Sequence, residues 1–262
     1  MTALPPTQRA VVVDQVGGPE VLDVRNNHPL PTLKDGLVLV KNNISGINYI
    51  DTYFRNGLYP SSKPEVLGRE AVGTIVALGP GIDSTKHNLK VGDRVVWLGT
   101  GGYAEYTAVA AAKTMRLPDA ISDEEVTASF LSGLTCLALS HETYPVKAGD
   151  WILLHAAAGG TGFLMTQILK KLGATVIGTA GGPEKIALVK SLGADYVIDY
   201  RSDEGKDWPA VVDRITSGRG VDVVYDSVGK DTWEGSLKAV KRKGTIVWFG
   251  NASGPVPPLP LK

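Results

Sequence analysis

The segment that decides the fold of this chain is Leu153-Leu154-His155-Ala156-Ala157-Ala158-Gly159-Gly160-Thr161-Gly162. Its apolar beginning is typical of a buried strand, and the stretch Gly162–Leu172 that follows has the apolar spacing of a helix. Glycines at such a turn let the backbone approach a phosphate, and the N–H groups and dipole of the helix N terminus attract the negative charge. Ala157 stands where the first glycine of the dinucleotide-binding fingerprint is expected. We therefore predict a pyrophosphate-binding turn made by Gly159, Gly160, Thr161 and Gly162.

Strand and helix patterns alternate after this turn, which is typical of a doubly wound parallel sheet. Such a sheet usually has a sixth strand, and the Pro-rich end of the chain leaves no room for one. We therefore expect a cofactor domain that is C-terminally incomplete, with a naturally short protein as the alternative. The predicted strands are Ile152–His155, Thr175–Ile177, Tyr196–Ile198, Val221–Tyr225 and Thr245–Phe249, and the further helices are Pro183–Leu192, Trp208–Thr216 and Asp231–Lys243.

Short apolar runs separated by turn residues occupy the chain before residue 118 and predict a compact β-rich unit. Ser122 followed by Glu125 is a capping-box pattern that begins a helix. We accordingly place two domains at residues 1–121 and 122–262. The predicted strands of the first are Ala10–Val13, Leu37–Val40, Val72–Leu78, Arg94–Leu98 and Tyr103–Val109.

Composition restricts the class of protein. The 262 residues include 27 Lys and Arg and 27 Asp and Glu, so the net charge is zero and a wholly basic nucleic-acid binder is excluded. The single cysteine, Cys136, excludes a disulfide framework and a zinc site built on several thiolates. The N-terminal residues lack the apolar core of a signal peptide, and no apolar run reaches membrane-spanning length. These features predict a cytoplasmic protein with no membrane association.

The end of the second predicted strand indicates which dinucleotide binds. An NAD site has a carboxylate there for the ribose 2′-hydroxyl, whereas this chain has Ala180 and Gly181. Lys185 follows at the start of the next helix, where its cation can meet a 2′-phosphate. The sequence therefore favours NADP(H) over NAD(H), with a solvated Lys185 as the alternative role for that residue.

With these residues, the chain resembles the quinone oxidoreductases of the zeta-crystallin type, within the medium-chain dehydrogenase/reductase superfamily. The resemblance runs from about Ala10 to Gly254. It is carried by Gly149–Leu153 with Ala157–Gly162, Gln167 and Lys170, and by Gly46–Tyr53, Gly57–Pro60, Val91–Val95, Val224–Gly229 and Phe249–Asn251.

The resemblance implies a GroES-like catalytic domain and a Rossmann cofactor domain, with the active site between them. It further implies NADPH as reductant, a quinone as the small-molecule acceptor, and a homodimer where the C-terminal part is present. The catalytic residues that it implies are Asn48, Tyr53, Tyr59 and Asp51, with positioning of the loop, action through water or capping open for Asp51. The cofactor-binding residues that it adds are Thr135, Tyr200, Ser227, Val228, Phe249 and Asn251.

Metal chemistry is not expected. Zinc-dependent relatives carry a Cys where this chain has Asn48, and a His where it has Arg69. Neither an amide nor a guanidinium is a usual zinc ligand, so we predict catalysis without zinc.

Other functions stay open at this point. An NADPH-dependent reductase of α,β-unsaturated carbonyls would use much the same site. A protein that binds NADPH but has lost catalysis, and acts as a lens-type or RNA-binding protein, is the alternative from another class. The candidate for RNA binding is a basic cluster at a predicted helix end, which is otherwise a solvated face: Lys238, Lys241, Arg242 and Lys243. His155 and Cys136 are interpreted as buried packing residues rather than catalytic ones.

Overall fold

A computed structural model describes residues 4–82 and 88–258. The chain forms two compact units, Met1–Leu131 and Ser132–Lys262. They divide inside the helix α2 (Asp123–Leu137), later in the chain than the boundary expected between residues 121 and 122. The reason is packing, because Val126 and Phe130 of this helix lie against the core of the first unit. The capping box is formed, since Ser122 N donates to Glu125 Oε2 and Glu125 N donates to Ser122 Oγ.

The first unit contains two antiparallel sheets. The five-stranded sheet has the order β7-β3-β5-β6-β8, and the three-stranded sheet has the order β2-β1-β4. The predicted β-rich unit is confirmed. Its strands are β1 (Thr7–Val13), β2 (Asp23–Pro29), β3 (Leu37–Ser45), β4 (Glu65–Val66), β5 (Glu70–Leu78), β6 (Arg94–Leu98), β7 (Tyr106–Ala110) and β8 (Thr114–Arg116).

Strand β2 is absent from the predictions because its sequence is polar and its side chains are mostly exposed. It is an edge strand beside β1 in the described part of its sheet, and it lacks the apolar pattern by which buried strands are recognised. The short helix α1 (Ile50–Asn56) follows β3 and ends at Gly57, whose φ of 84° only glycine adopts readily. This helix buries Asp51 and Tyr53, so two of the expected catalytic side chains are held in place by the unit itself.

The second unit is a parallel sheet in the order β11-β10-β9-β12-β13. Numbered along the chain, these strands run 3-2-1-4-5, which is the beginning of the Rossmann order. Both sheet faces are covered, because Leu154 and Leu153 belong to separate apolar clusters. The predicted doubly wound fold is thus confirmed. The elements are β9 (Trp151–Leu154), α3 (Gly160–Lys171), β10 (Thr175–Ala180), α4 (Pro183–Ser191), β11 (Tyr196–Asp199), α5 (Trp208–Ile215), β12 (Val221–Asp226), α6 (Trp233–Ala239) and β13 (Val240–Trp248).

The helix predicted over Asp231–Lys243 is wrong in its extent. Helix α6 ends at Ala239, and Val240 is already extended and pairs with Val221. Lys241 forms an ion pair with Asp222, which holds the chain against β12. The basic cluster therefore spans the end of α6 and an irregular part of β13 rather than one helix face.

Among residues 4–82 and 88–258, every helix is too short or too polar to cross a bilayer.

Candidate functional site

The predicted glycine turn follows β9, but α3 begins at Gly160, two residues earlier than predicted, so Gly159 is the N-cap and Gly160, Thr161 and Gly162 form the first turn of the helix. A Cβ on Gly162 would lie 2.4 Å from Ala156 O and 2.7 Å from Ala157 Cα, so only glycine fits between helix and turn. A Cβ on Gly160 would meet nothing closer than Ser132 Oγ, at 3.8 Å. Gly162 is therefore required by packing, whereas the space beside Gly160 is open to a ligand.

The N terminus of α3 has the electrostatics that an anion needs. Its N-cap is Gly159, which has no side chain to accept a hydrogen bond from the first turn. Thr161 lies in this first turn, and its carbonyl accepts a hydrogen bond from Cys136 Sγ at 3.4 Å. The first-turn N–H groups, which have no acceptor within the helix, and the dipole of the helix favour a bound phosphate. The turn therefore fits the pyrophosphate of a dinucleotide.

The end of β10 lies against a cation that the sequence analysis missed. A Cβ on Gly181 would lie 2.7 Å from the hydroxyl oxygen of Tyr200 and 2.8 Å from Arg201 Nε. Asp199 Oδ1 accepts hydrogen bonds from the backbone N–H groups of Gly182 and Arg201, which holds the two loops together. Lys185 lies exposed in the first turn of α4, directly after this loop. Two cations, rather than Lys185 alone, are thus available for a 2′-phosphate.

The loops after β12 and β13 meet, as their positions at the carboxyl ends of parallel strands predict. Ser253 N and Ser253 Oγ both donate to Val228 O at 2.8 Å, and Ala252 N donates to Ser227 O at 3.1 Å. Ser227, Val228, Phe249 and Asn251 are all half-buried there. Thr135 lies apart from this loop pair in sequence, half-buried on α2.

His155 directly follows β9, contacts side chains of β10 and α6, and is buried, as predicted. Its side chain is 2% exposed, with Nδ1 3.1 Å from Thr179 Oγ1 and Nε2 3.3 Å from Ser236 Oγ. Ser236 Oγ donates to Asp226 Oδ2 at 2.9 Å. Burial lowers the pKa of His155 to about 4, against a weaker opposing effect of Asp226. Cys136 is fully buried, as predicted, and burial raises its pKa to about 12, so its thiol is unreactive near neutral pH.

The catalytic residues expected in the first unit fall into two pairs. Asn48 N donates to Asp51 Oδ2 at 3.0 Å, so the Asp51 carboxylate holds the loop that precedes α1. The rings of Tyr53 and Tyr59 lie 5.1 Å apart, and Tyr59 N donates to Tyr53 O. A cavity of about 630 Å³ is lined by Asn48 and Asp51 together with a mixture of apolar and polar side chains.

Two further side chains, which were not predicted from the sequence, form hydrogen bonds with Asp51 and Asn48. Tyr103 donates a 2.6 Å hydrogen bond from its hydroxyl to Asp51 Oδ2, and Asn48 Nδ2 donates to Glu70 Oε1 at 2.8 Å. Burial raises the pKa of Asp51 above its ordinary range, although the hydrogen bonds from Tyr103 and Asn48 oppose the shift. Burial likewise raises the pKa of Glu70. The Gly68-Arg69-Glu70 stretch was the available signal for Glu70.

Arg69 occupies the position where zinc-dependent relatives carry a histidine. Its guanidinium lies 3.5 Å from the ring centre of Phe54, donates to Thr100 Oγ1 and pairs with Glu65 at 2.6 Å. A second cation, Lys63, pairs with Glu65 at 2.8 Å. Burial by itself raises the pKa of Glu65, but its partners outweigh this effect and the pKa is lowered.

The residues at this position do not fit a zinc ion. Asn48 and Arg69 offer no thiolate or imidazole, and the Arg69 cation already faces Asp51 and Glu65. Within the described ranges, 4–82 and 88–258, no group of three His, Cys, Asp or Glu side chains could hold a metal ion. Catalysis without zinc stays a prediction.

Comparison with known proteins identifies relatives of both units. Residues 34–119 match the family model described as alcohol dehydrogenase GroES-like domain, and residues 160–262 match that described as zinc-binding dehydrogenase. A quinone oxidoreductase of Salmonella typhimurium is 47% identical over 246 residues, which cover 92% of this chain and 72% of the relative.

Two more relatives bear on the chemistry. The solved structure of Escherichia coli quinone oxidoreductase complexed with NADPH has a TM-score of 0.90 and 42% identity, and the match covers 96% of this chain and 76% of that one. A 2-haloacrylate reductase of Burkholderia is 37% identical over 261 residues, covering 95% of this chain and 75% of the relative. The chain thus spans about three quarters of these relatives' length.

Proposed function

Since this chain belongs to the quinone oxidoreductase family, we propose that it transfers a hydride from NADPH to a quinone without a metal ion. The observation that supports the proposal is a group of hydrogen-bond donors in and next to α1. Asn48, Tyr53 and Tyr59 stand in a unit whose metal-ligand positions hold an amide and a guanidinium instead. An acceptor oxygen that gains charge must then be met by hydrogen-bond donors rather than by a Lewis acid.

The second unit supplies the binding of the cofactor. The α3 N terminus with Gly159 and Gly160 would receive the pyrophosphate, and Arg201 and Lys185 would receive the 2′-phosphate. Thr135, Ser227, Val228, Phe249 and Asn251 would lie toward the nicotinamide. NADPH supplies a hydride when it is bound.

The first unit would supply the hydrogen-bond donors to the quinone as it accepts the hydride. Asn48 has an amide hydrogen beyond the one given to Glu70, and the tyrosine hydroxyls of Tyr53 and Tyr59 are donors by their chemistry. These donors would stabilise the negative charge on the quinone oxygen until it takes a proton. Asp51 would act through position, because its Oδ2 already accepts from Asn48 N and Tyr103.

A reductase of α,β-unsaturated carbonyls is the second candidate, supported by the 37% identity to the 2-haloacrylate reductase. The test is steady-state NADPH oxidation with a panel of quinones and a panel of enones, with acceptor-free NADPH oxidation as the control. We expect the larger kcat/KM for quinones. Larger values for enones would favour the second candidate, and the absence of turnover with both panels would reject both.

A cytoplasmic location and a homodimer stay proposals. RNA binding is the weaker possibility, because Lys241 of the basic cluster is engaged in an ion pair with Asp222.

A further inference from the structure

Glu70 is a buried carboxylate whose two oxygens have separate partners. Its residue is 2% exposed at the start of β5. Oε1 accepts from Asn48 Nδ2 at 2.8 Å, and Oε2 accepts from the backbone N–H of Leu131 at 2.9 Å. The second bond holds the carboxylate in one orientation, so the first bond has a fixed direction.

The backbone opposite this carboxylate leaves space for it. A Cβ on Gly46 would lie 2.3 Å from Glu70 Oε1, 2.7 Å from its Cγ and 2.8 Å from its Cδ. The side chain of Glu70 therefore fills the volume that any other residue at position 46 would need. Gly46 lies two residues before Asn48, so the close approach and the amide hydrogen bond belong to the same loop.

The chemistry of the two groups fixes the orientation of the Asn48 amide. An ionised carboxylate only accepts hydrogen bonds, so Nδ2 of Asn48 must face Glu70 and Oδ1 must point away from it. The backbone N–H of Asn48 is held separately by Asp51 Oδ2. Two buried acids thus accept hydrogen bonds from Asn48: Asp51 from its backbone N–H, and Glu70 from its side-chain amide.

We propose that Glu70 is a positioning residue, which orients the Asn48 amide so that its remaining N–H can meet the acceptor oxygen. The inference rests on the proposed function for its effect on turnover, while the orientation itself can be measured without an acceptor. Loss of Glu70 should lower kcat and leave the KM for NADPH nearly unchanged, because the cofactor-binding turn belongs to other residues.

A double-mutant cycle on the full chain tests the effect on turnover. Glu70→Gln keeps the side-chain volume beside Gly46 but leaves one acceptor oxygen, whereas the Asn48 amide and the Leu131 backbone N–H each need one. We expect it to lower kcat on the order of tenfold, the scale of a misplaced reacting group. In the Asn48→Ala background the same substitution should change kcat by less than about twofold. Equal losses in both backgrounds, or no loss in either, would overturn the proposal.

Two further variants separate positioning from a loss of stability. Gly46→Ala keeps the charge of Glu70 but displaces its carboxylate, and it should reproduce the fall in kcat if Glu70→Gln fails to fold. Asp93→Asn removes another buried carboxylate, which is 6% exposed, accepts from Lys90 N and pairs with Arg116. This control should lower thermal stability and leave kcat unchanged; a fall in kcat like that of Glu70→Gln would count against positioning.

The orientation is measured by NMR of the Asn48 side-chain amide, assigned by its absence in Asn48→Ala. In the wild-type chain one amide proton should be shifted downfield and protected from exchange with solvent. Glu70→Gln and Gly46→Ala should both remove the shift and the protection. If these signals change as expected while no quinone is reduced, the proposed function fails and the positioning stands. Signals identical in all three proteins would reject the positioning itself.

Discussion

Arg69 Nε lies 3.9 Å from Asp51 Oδ1, and the described part of the chain offers neither of these buried atoms a hydrogen-bond partner. A single water molecule can bridge two such atoms at hydrogen-bonding distance from each. The Arg69 guanidinium is a permanent cation that faces the carboxylates of Asp51 and Glu65. Its charge is balanced by Asp51 and Glu65 at the position where zinc-dependent relatives carry a histidine.

The first prediction concerns metal. The purified chain should contain zinc well below one equivalent, and a chelator should leave its NADPH oxidation unchanged, because Asn48 and Arg69 cannot act as ligands. Elemental analysis with activity assays before and after chelation checks this. Stoichiometric zinc that is lost together with activity would contradict the prediction.

The second prediction concerns the tyrosine donors. Tyr53→Phe and Tyr59→Phe should each lower quinone turnover by less than about 10²-fold, because the ring contact is kept and a donor is lost. The double variant should fall further, and NADPH affinity should not change. Tyr106→Phe serves as the control, since this tyrosine lies in β7 outside the donor set. Unchanged turnover in both single variants and in the double variant would remove the tyrosines from the mechanism.

The third prediction concerns cofactor choice. NADPH should bind at least about tenfold tighter than NADH, the scale of a charge-assisted contact to the 2′-phosphate. Lys185→Ala and Arg201→Ala should each reduce this margin, and the double variant should abolish it by weakening NADPH alone. Lys190→Ala, in the last turn of the same helix as Lys185, should have no effect.

Fluorescence titration of both nucleotides measures the margin. Equal affinities of the wild-type chain for NADPH and NADH would reject the NADP assignment. A margin preserved in the double variant would place the 2′-phosphate elsewhere.

The fourth prediction separates two glycines of one turn. Gly162→Ala should destabilise the chain by about 1–3 kcal/mol, because its Cβ would collide with the backbone of Ala156. Gly160→Ala should leave the thermal midpoint unchanged or slightly raised but weaken NADPH binding on the order of tenfold, because the added methyl group occupies the approach of the phosphate. Thermal unfolding and nucleotide titration of both variants check this. The reverse pattern would show that Gly160 serves packing.

The fifth prediction concerns pH. His155 has a folded-state pKa of about 4, below the ordinary 6.5, so the unfolded chain binds more protons between these values. Stability should therefore be full above pH 6.5 and fall as the pH drops toward 4, by about 2 kcal/mol from this group at pH 5.

Denaturant titrations at pH 7.5 and pH 5 measure this loss. His155→Gln should lose less stability than the wild-type chain on acidification. His141→Gln, which changes an exposed histidine, should behave like the wild-type chain. Equal acid sensitivity of all three proteins would show that His155 does not titrate as described.

The sequence alone determined the glycine turn and the capping box, because each depends on residues close together in the chain, and it predicted the parallel sheet from the alternation of strand and helix patterns. Gly162 lies eight residues after the end of β9, and Ser122 and Glu125 form their reciprocal bonds within one turn of helix. The strand patterns were recognisable because burial on both faces demands continuous apolar runs. The helix predicted at α6 was too long because Val240 pairs with Val221 in the sheet, and a local sequence pattern does not show this contact.

Only the tertiary structure brought Glu70 to Asn48, Tyr103 to Asp51 and Arg201 to Gly181. The first pair depends on β3 lying beside β5, and the last depends on β11 lying beside β10. Such partners are separated by twenty or more residues, and their contacts form only when strand order and register are set. The residues expected to act on a substrate stay a prediction from the sequence, whereas the residues that contact them were decided by packing between distant segments.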